Sequence, residues 1–254
     1  PCGTLFPYTT LFRSAVVASE AYHGGVLDAG AGHLDPLALA LGLARLARAA
    51  GARLHETSRV LRIVPGDPVT VETDRVSLRA SHVVLACNGY LGGLAPEVGA
   101  RVMPINNFVA ATEPLGAERA RALIAGNRAV ADSRFVVNYF RLSEDHRLLF
   151  GGGETYGYRF PADMAGLVRK RMLAVFPQLD GVRIDHAWGG TLAITARRLP
   201  HVARLRGNIL SFSGYSGHGV ALATLAGRIA AEAIAGQAER FDLMARMPTP
   251  RFPG

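Results

Sequence analysis

After Asp35-Pro36, the apolar residues Leu37, Leu39, Ala40, Leu43, Leu46 and Ala47 recur at helical spacing. This predicts an amphipathic helix with a capping aspartate and a proline in its first turn, stopping at Gly51. Alternating positions predict short strands at Val60–Val64, Val69–Glu72 and Val76–Arg79, with turns at Pro65-Gly66-Asp67-Pro68 and Asp74. His82–Ala86 is a nearly continuous apolar run ended by Asn88-Gly89, the pattern of a buried strand. Longer strands are expected over Arg101–Thr112 and Phe135–Leu142, then a turn at Ser143–His146 into Arg147–Phe150. Further strands are expected at Val182–Trp188 and Asn208–Ser213, and helices at Ala162–Phe176 and Gly219–Ala235. Strict βαβ alternation is missing, so the fold class is mixed α/β, a nucleotide-binding part interleaved with a mostly antiparallel sheet. Val83–Ala86 and Ile209–Phe212 should neighbour each other in one sheet. Arg101–Thr112, Phe135–Leu142 and Arg147–Phe150 should form another.

Composition narrows the picture. The chain has 254 residues, 49% hydrophobic and 19% charged, which excludes a disordered tail and suits one large domain or two modest ones. No apolar run approaches the roughly 18 residues of a membrane span. Cys2 and Cys87 make no disulfide framework, and neither they nor the histidines stand at metal-binding spacing. The net charge of +8 invites a nucleic-acid reading, but Lys170 is the only lysine and the arginines are dispersed without a basic run. Nucleic-acid binding is therefore not expected, while a preference for anionic ligands stays open. Thr4–Ser14 is similar to the translated frame of a sequencing adapter, so the native chain is expected to start near Ala15, with an upstream segment lost. Pro248, Pro250 and Pro253 read as an extended tail.

Chemistry concentrates in Ser213-Gly214-Tyr215-Ser216-Gly217-His218-Gly219, between a strand and a long helix. Glycines let the backbone approach a ligand, and a helix start offers open N–H groups to an anion. Such a turn suits a phosphate or the anionic edge of a reduced flavin; a tight turn without a ligand explains it about as well. Gly214-Tyr215-Ser216-Gly217 also approaches a serine-hydrolase elbow, with Ser216 as nucleophile, but His218 stands where the closing glycine belongs. Val83–Tyr90 ends as ligand-binding strands of open sheets end. Asp185-His186 is a possible base and orienter, although adjacent strand residues face opposite ways and a structural histidine is favoured. Gly151-Gly152-Gly153-Glu154 reads as the close of a strand.

Taken as an ordered set, seven segments resemble the FAD-dependent D-amino-acid-oxidase superfamily, and within it the gamma-glutamylputrescine oxidase branch. They are Gly32–Pro36, Val83–Tyr90, Met103–Ile105, Asn138–Leu142, Leu149–Glu154, Trp188–Thr191 and Gly214–Val220. The resemblance implies a partial Rossmann-type FAD domain from 15–90 and 182–247, with 15–35 open to either domain. It implies a substrate domain at 91–181, leaving 1–14 foreign and 248–254 as a tail. It places Val60 near the adenosine, Ala86, Asn88 and Gly89 beside the dinucleotide, and Gly214, Tyr215, Ser216, Gly217, His218, Gly219 and Val220 at the flavin pyrimidine edge. Tyr139 and Arg141 are the implied substrate contacts, with a surface ion pair as the plainer role for Arg141.

The implied activity is oxidative deamination of gamma-glutamylputrescine or a related amine to aldehyde, ammonia and hydrogen peroxide, in the cytoplasm. The alternatives are a serine hydrolase using Ser216 and a non-catalytic binding module. Two departures stand out. The sequence contains no G-x-G-x-x-G turn for the FAD pyrophosphate, so the chain alone is expected neither to retain FAD nor to oxidise amines. Thr191-Leu192-Ala193-Ile194 stands where amino-acid oxidases of the family carry a carboxylate-binding arginine, which favours an amine over a simple α-amino acid. Oligomeric state is not legible.

Overall fold

The structure, a computed structural model, describes residues 16–253, so the adapter-like segment lies outside the described residues. The chain divides into two compact units, each built from separated stretches. The first takes the stretch up to Asp35 with Asn106–Thr155 and Arg159–Gly190; the second takes Pro36–Ile105, Tyr156–Tyr158 and everything from Thr191.

In chain order, helix α1 (Pro36–Ala49) opens the second unit, with proline at its first position as expected. None of its residues is buried, and Leu37, Leu41 and Leu46 are all more than half exposed. Strands β1 (Val60–Val64), β2 (Val69–Thr73) and β3 (Ser77–Ala80) form a small antiparallel meander. Strand β4 (Val83–Leu85), a 3-10 turn at Asn88–Tyr90 and the one-turn helix α2 (Pro96–Gly99) follow. Strand β5 (Met103–Thr112) leads into the first unit, which adds α3 (Ala117–Leu123), β6 (Val130–Ala131), β7 (Tyr139–Leu142), β8 (Leu148–Tyr156) and α4 (Met164–Val175). Strand β9 (Ile184–Ile194) leads back to β10 (His201–Arg206), β11 (Ile209–Ser213), α5 (Gly219–Ile234) and α6 (Glu239–Ala245).

Both expected sheets are present. β11 pairs in parallel with β4, Leu210 opposite Val84, and antiparallel with β10, giving the order β10-β11-β4. β11 is buried at every position. One face carries Leu210 and Phe212, which pack with Tyr215, Ala226, Ile229 and Phe241; Ile209 joins a second core with Leu85, Val98 and Ala193. The larger sheet runs β6-β7-β8-β5-β9. Its core stacks Phe140 on Phe150 at 5.4 Å and sets Phe176 edge-on to Phe140 at 5.1 Å.

Several boundaries differ from the sequence reading, among them β9, which runs on past Trp188 to Ile194. The strand expected from Phe135 begins only at Tyr139, because the Asp132 carboxylate captures the Asn138 backbone N–H at 2.9 Å and its side-chain amide at 2.8 Å. That bond pattern holds the preceding residues in a loop. Conversely, Gly151-Gly152-Gly153 does not close its strand; β8 runs through all three to Tyr156.

Candidate functional site

In the second unit, β4 and β11 run side by side in the same direction, so the turns after both strands emerge at one end of the sheet. They are tied together there: the Asn88 side-chain oxygen, on a residue at φ +45°, accepts from the Gly214 N–H at 3.2 Å. Gly89 is buried against the end of β9, where a Cβ would fall 2.2 Å from the Thr191 carbonyl oxygen. Tyr90 completes this corner, its hydroxyl accepting from the Thr191 N–H at 2.9 Å. Ala86, Asn88, Gly89 and Gly214–Val220 therefore gather around one corner, whereas Val60 stands on β1 in the separate meander.

The loop after β11 is braced from inside. Ser216 takes φ +52° and is buried; its N–H donates to Ala193 O at 3.1 Å. Its hydroxyl donates to Gly214 O at 3.1 Å and accepts from Thr195 N–H at 3.2 Å. None of these partners is a base, so the hydrolase alternative loses its nucleophile: this hydroxyl locks the turn. The Tyr215 ring belongs to the core beneath, where burial pushes its phenol pKa up, leaving only its backbone for a ligand. Gly217 takes φ +93° with open space where a side chain would project. His218 and Val220 are exposed, and no side chain caps the start of the sixteen-residue α5.

An open helix start beside an exposed glycine fits the electron-rich edge of a flavin, where N–H dipoles stabilise negative charge. The residues present therefore fit that end of FAD.

In the first unit, Tyr139 and Arg141 lie two apart on β7 and so share a face. The Tyr139 hydroxyl donates to the Asn107 side-chain oxygen, and the Asn107 amide donates on to Gly153 O at 3.0 Å. Burial pushes the Tyr139 phenol up to about 12, so it stays neutral at physiological pH. Arg141 forms no surface ion pair among the described residues; its guanidinium donates to Leu142 O at 3.2 Å. Both residues line a hollow with Phe140 and Leu149.

Asp185 does not orient His186. It is held between Arg147 and Arg183, at 2.6 Å from each, and these two guanidinium groups bring its carboxyl down to about 2. Sequence reasoning missed Asn107, Tyr90 and Thr195. An adjacent asparagine pair inside an otherwise apolar strand, Asn106-Asn107, was the one local sign of the first.

A parallel strand pair with gathered turns, an uncapped helix start and an antiparallel sheet bearing a held tyrosine describe a flavin-dependent oxidoreductase. The chain belongs to the DAO family of FAD dependent oxidoreductases, whose family model matches residues 5–233. It is 45% identical to gamma-glutamylputrescine oxidoreductase of Escherichia coli strain K12, over 94% of this chain and 56% of that protein. It is 41% identical to the probable oxidoreductase OrdL of Rhizobium meliloti, over 94% of this chain and 55% of that one. The fold is similar to the crystal structure of glycine oxidase from Geobacillus kaustophilus, with TM-score 0.71 and 24% identity, covering 85% of this chain and 58% of that one. The chain thus spans a little over half the length of these curated relatives. No helix among the described residues is long and apolar enough to cross a membrane.

Proposed function

We propose that this chain supplies the flavin-edge loop and the amine-facing surface of an enzyme that oxidises gamma-glutamylputrescine or a related amine, with molecular oxygen as final acceptor and water hydrolysing the imine, to an aldehyde, ammonia and hydrogen peroxide. The 45% identity to the E. coli oxidoreductase over nearly the whole chain carries this reading. When bound, FAD supplies the two-electron acceptor for the substrate C–N bond.

The chain's own residues position and tune. Asn88, Gly89 and the backbone from Gly214 to Gly219 hold the flavin edge, and the α5 start favours charge there. Tyr139, whose proton is committed to Asn107, keeps oxygen lone pairs for an amine N–H and a ring face for an alkylammonium stem. Thr191–Ile194 carry no cation to pair with an α-carboxylate, which supports an amine over a simple amino acid.

A chimera tests the proposal: this chain joined to the part of the E. coli relative that lies outside the matched region. The chain alone is expected to be colourless, since its sequence holds no glycine turn for a pyrophosphate. The chimera is expected to be yellow and to release peroxide with gamma-glutamylputrescine faster than with glycine. A yellow chimera that preferred glycine would overturn the substrate. Stoichiometric FAD on the chain alone would overturn the placement of the cofactor.

A further inference from the structure

The second unit carries a cleft that the flavin reading does not use. It has a volume of about 550 Å³, within the range of small-ligand sites, and lies against β10, at the edge of its sheet. Arg101, Arg197, His201, Arg204 and Arg246 line it, and Glu97 is the one carboxylate on its wall. The segment after α6 forms part of the wall, pinned where the Phe252 N–H donates to Ala100 O at 2.9 Å.

The four guanidinium groups are unequally engaged. Arg101 donates to the Glu97 main-chain oxygen at 2.7 Å. Arg204 lies 4.9 Å over the Phe241 ring, donates to Gly207 O and stands 3.8 Å from Asp242. The guanidinium groups of Arg197 and Arg246 have no ion-pair or hydrogen-bond partner among the described residues and arise from separate loops. Like charges gathered in a concave wall focus a positive potential and leave donors open. His201 is buried, and burial followed by Arg101 lowers its pKa, so at neutral pH it adds a polar contact and no further charge. No aromatic side chain lines the cleft, which leaves no platform for stacking a nucleic-acid base.

We propose that this cleft binds a small multivalent oxyanion, clamped between Arg197 and Arg246 with Arg101 and Arg204 at its sides. Planar guanidinium groups engage phosphate and carboxylate oxygens in pairs, so the charge and spacing of the oxygens are what the site reads. None of its residues belongs to the proposed flavin corner, so it stands or falls separately from that reading.

Titration calorimetry of the chain with pyrophosphate and with citrate, against sodium chloride of equal ionic strength, tests it. Saturable binding of either anion is expected, and binding of pyrophosphate alone would identify phosphate as the preferred group. Arg197→Ala and Arg246→Ala are each expected to raise Kd by about tenfold, the loss of one charge-assisted contact. Both side chains are exposed and unpaired, so the variants should keep the parent's melting temperature, while Arg62→Ala, at the Glu72 pair on β1, should keep its affinity. Heat no greater than the chloride control, or binding that both arginine variants retain, would overturn the site. So would a single-stranded oligonucleotide that binds this cleft more tightly than either small anion.

Discussion

The Tyr139 ring lies directly across Gly151, so close that a Cβ at Gly151 would come within 2.1 Å of its ring carbons. These residues are paired across β7 and β8 in the ladder, and the second asparagine of β5 holds the hydroxyl at the far end. The ring is thereby set by two strands besides its own. The Gly151→Ala variant should push the ring off Asn107. The displaced group is the far end of a partly exposed side chain, held there by one hydrogen bond, so the stability loss should be modest, about 1 kcal/mol. In the chimera, KM for the amine should rise while flavin content stays normal. Unchanged KM would remove Tyr139 from the substrate surface.

Gly89 is a different case, because its obstacle is backbone. A methyl group there meets the Thr191 carbonyl, which cannot move without disturbing the end of β9. Gly89→Ala should cost about 3 kcal/mol, while Gly207→Ala, with open space around it, should stay within about 0.5 kcal/mol. Urea denaturation midpoints of the two variants check the contrast.

Gly217→Asp should strip flavin from the chimera more than Ser216→Ala does. The aspartate adds a side chain at φ +93° and a negative charge where an anionic edge is expected. Losing the Ser216 hydroxyl removes a loop brace, about 1 kcal/mol of stability, with no change of charge. The ratio of flavin absorbance to protein decides between them. Equal flavin loss in both variants would mean that the brace, rather than the open helix start, governs binding.

Acid should reach the first unit through Asp185. Its carboxyl is held below its ordinary value of 3.8, at about 2, by Arg183 and Arg147. A carboxylate depressed in the folded state contributes stability above its unfolded pKa, and that contribution disappears as pH falls from 3.8 toward 2. Asp185→Asn should flatten this part of the stability profile. Denaturant midpoints measured between those limits would show it, and a variant with the parent's slope would contradict the pairing.

Local chemistry made much of this legible from residues alone. Asp35-Pro36 announced α1, and the apolar runs ending at Asn88-Gly89 and Gly214 announced the parallel pair that carries the proposed flavin corner. What stayed hidden depends on partners far along the chain. Nothing near Tyr139 indicates that Asn107 will hold its hydroxyl, and nothing near Ser216 indicates that Thr195 will occupy it. The late start of β7 has the same origin: a carboxylate six residues upstream outcompetes the ladder for one N–H. Periodicity reports which face is buried; it does not report which side chain completes a hydrogen bond across a sheet.

The segmentation of the two units also sets what can be done with the gene. β5 begins among residues of one unit and ends among those of the other, and β9 makes the reverse passage. Neither unit can be subcloned as one uninterrupted piece, and a protease nick at the exposed Ser143–His146 turn would leave both still threaded by the same strands. Each must wait for chain that is translated much later, so contacts of large sequence separation should make folding slow and leave it dependent on completion of the polypeptide.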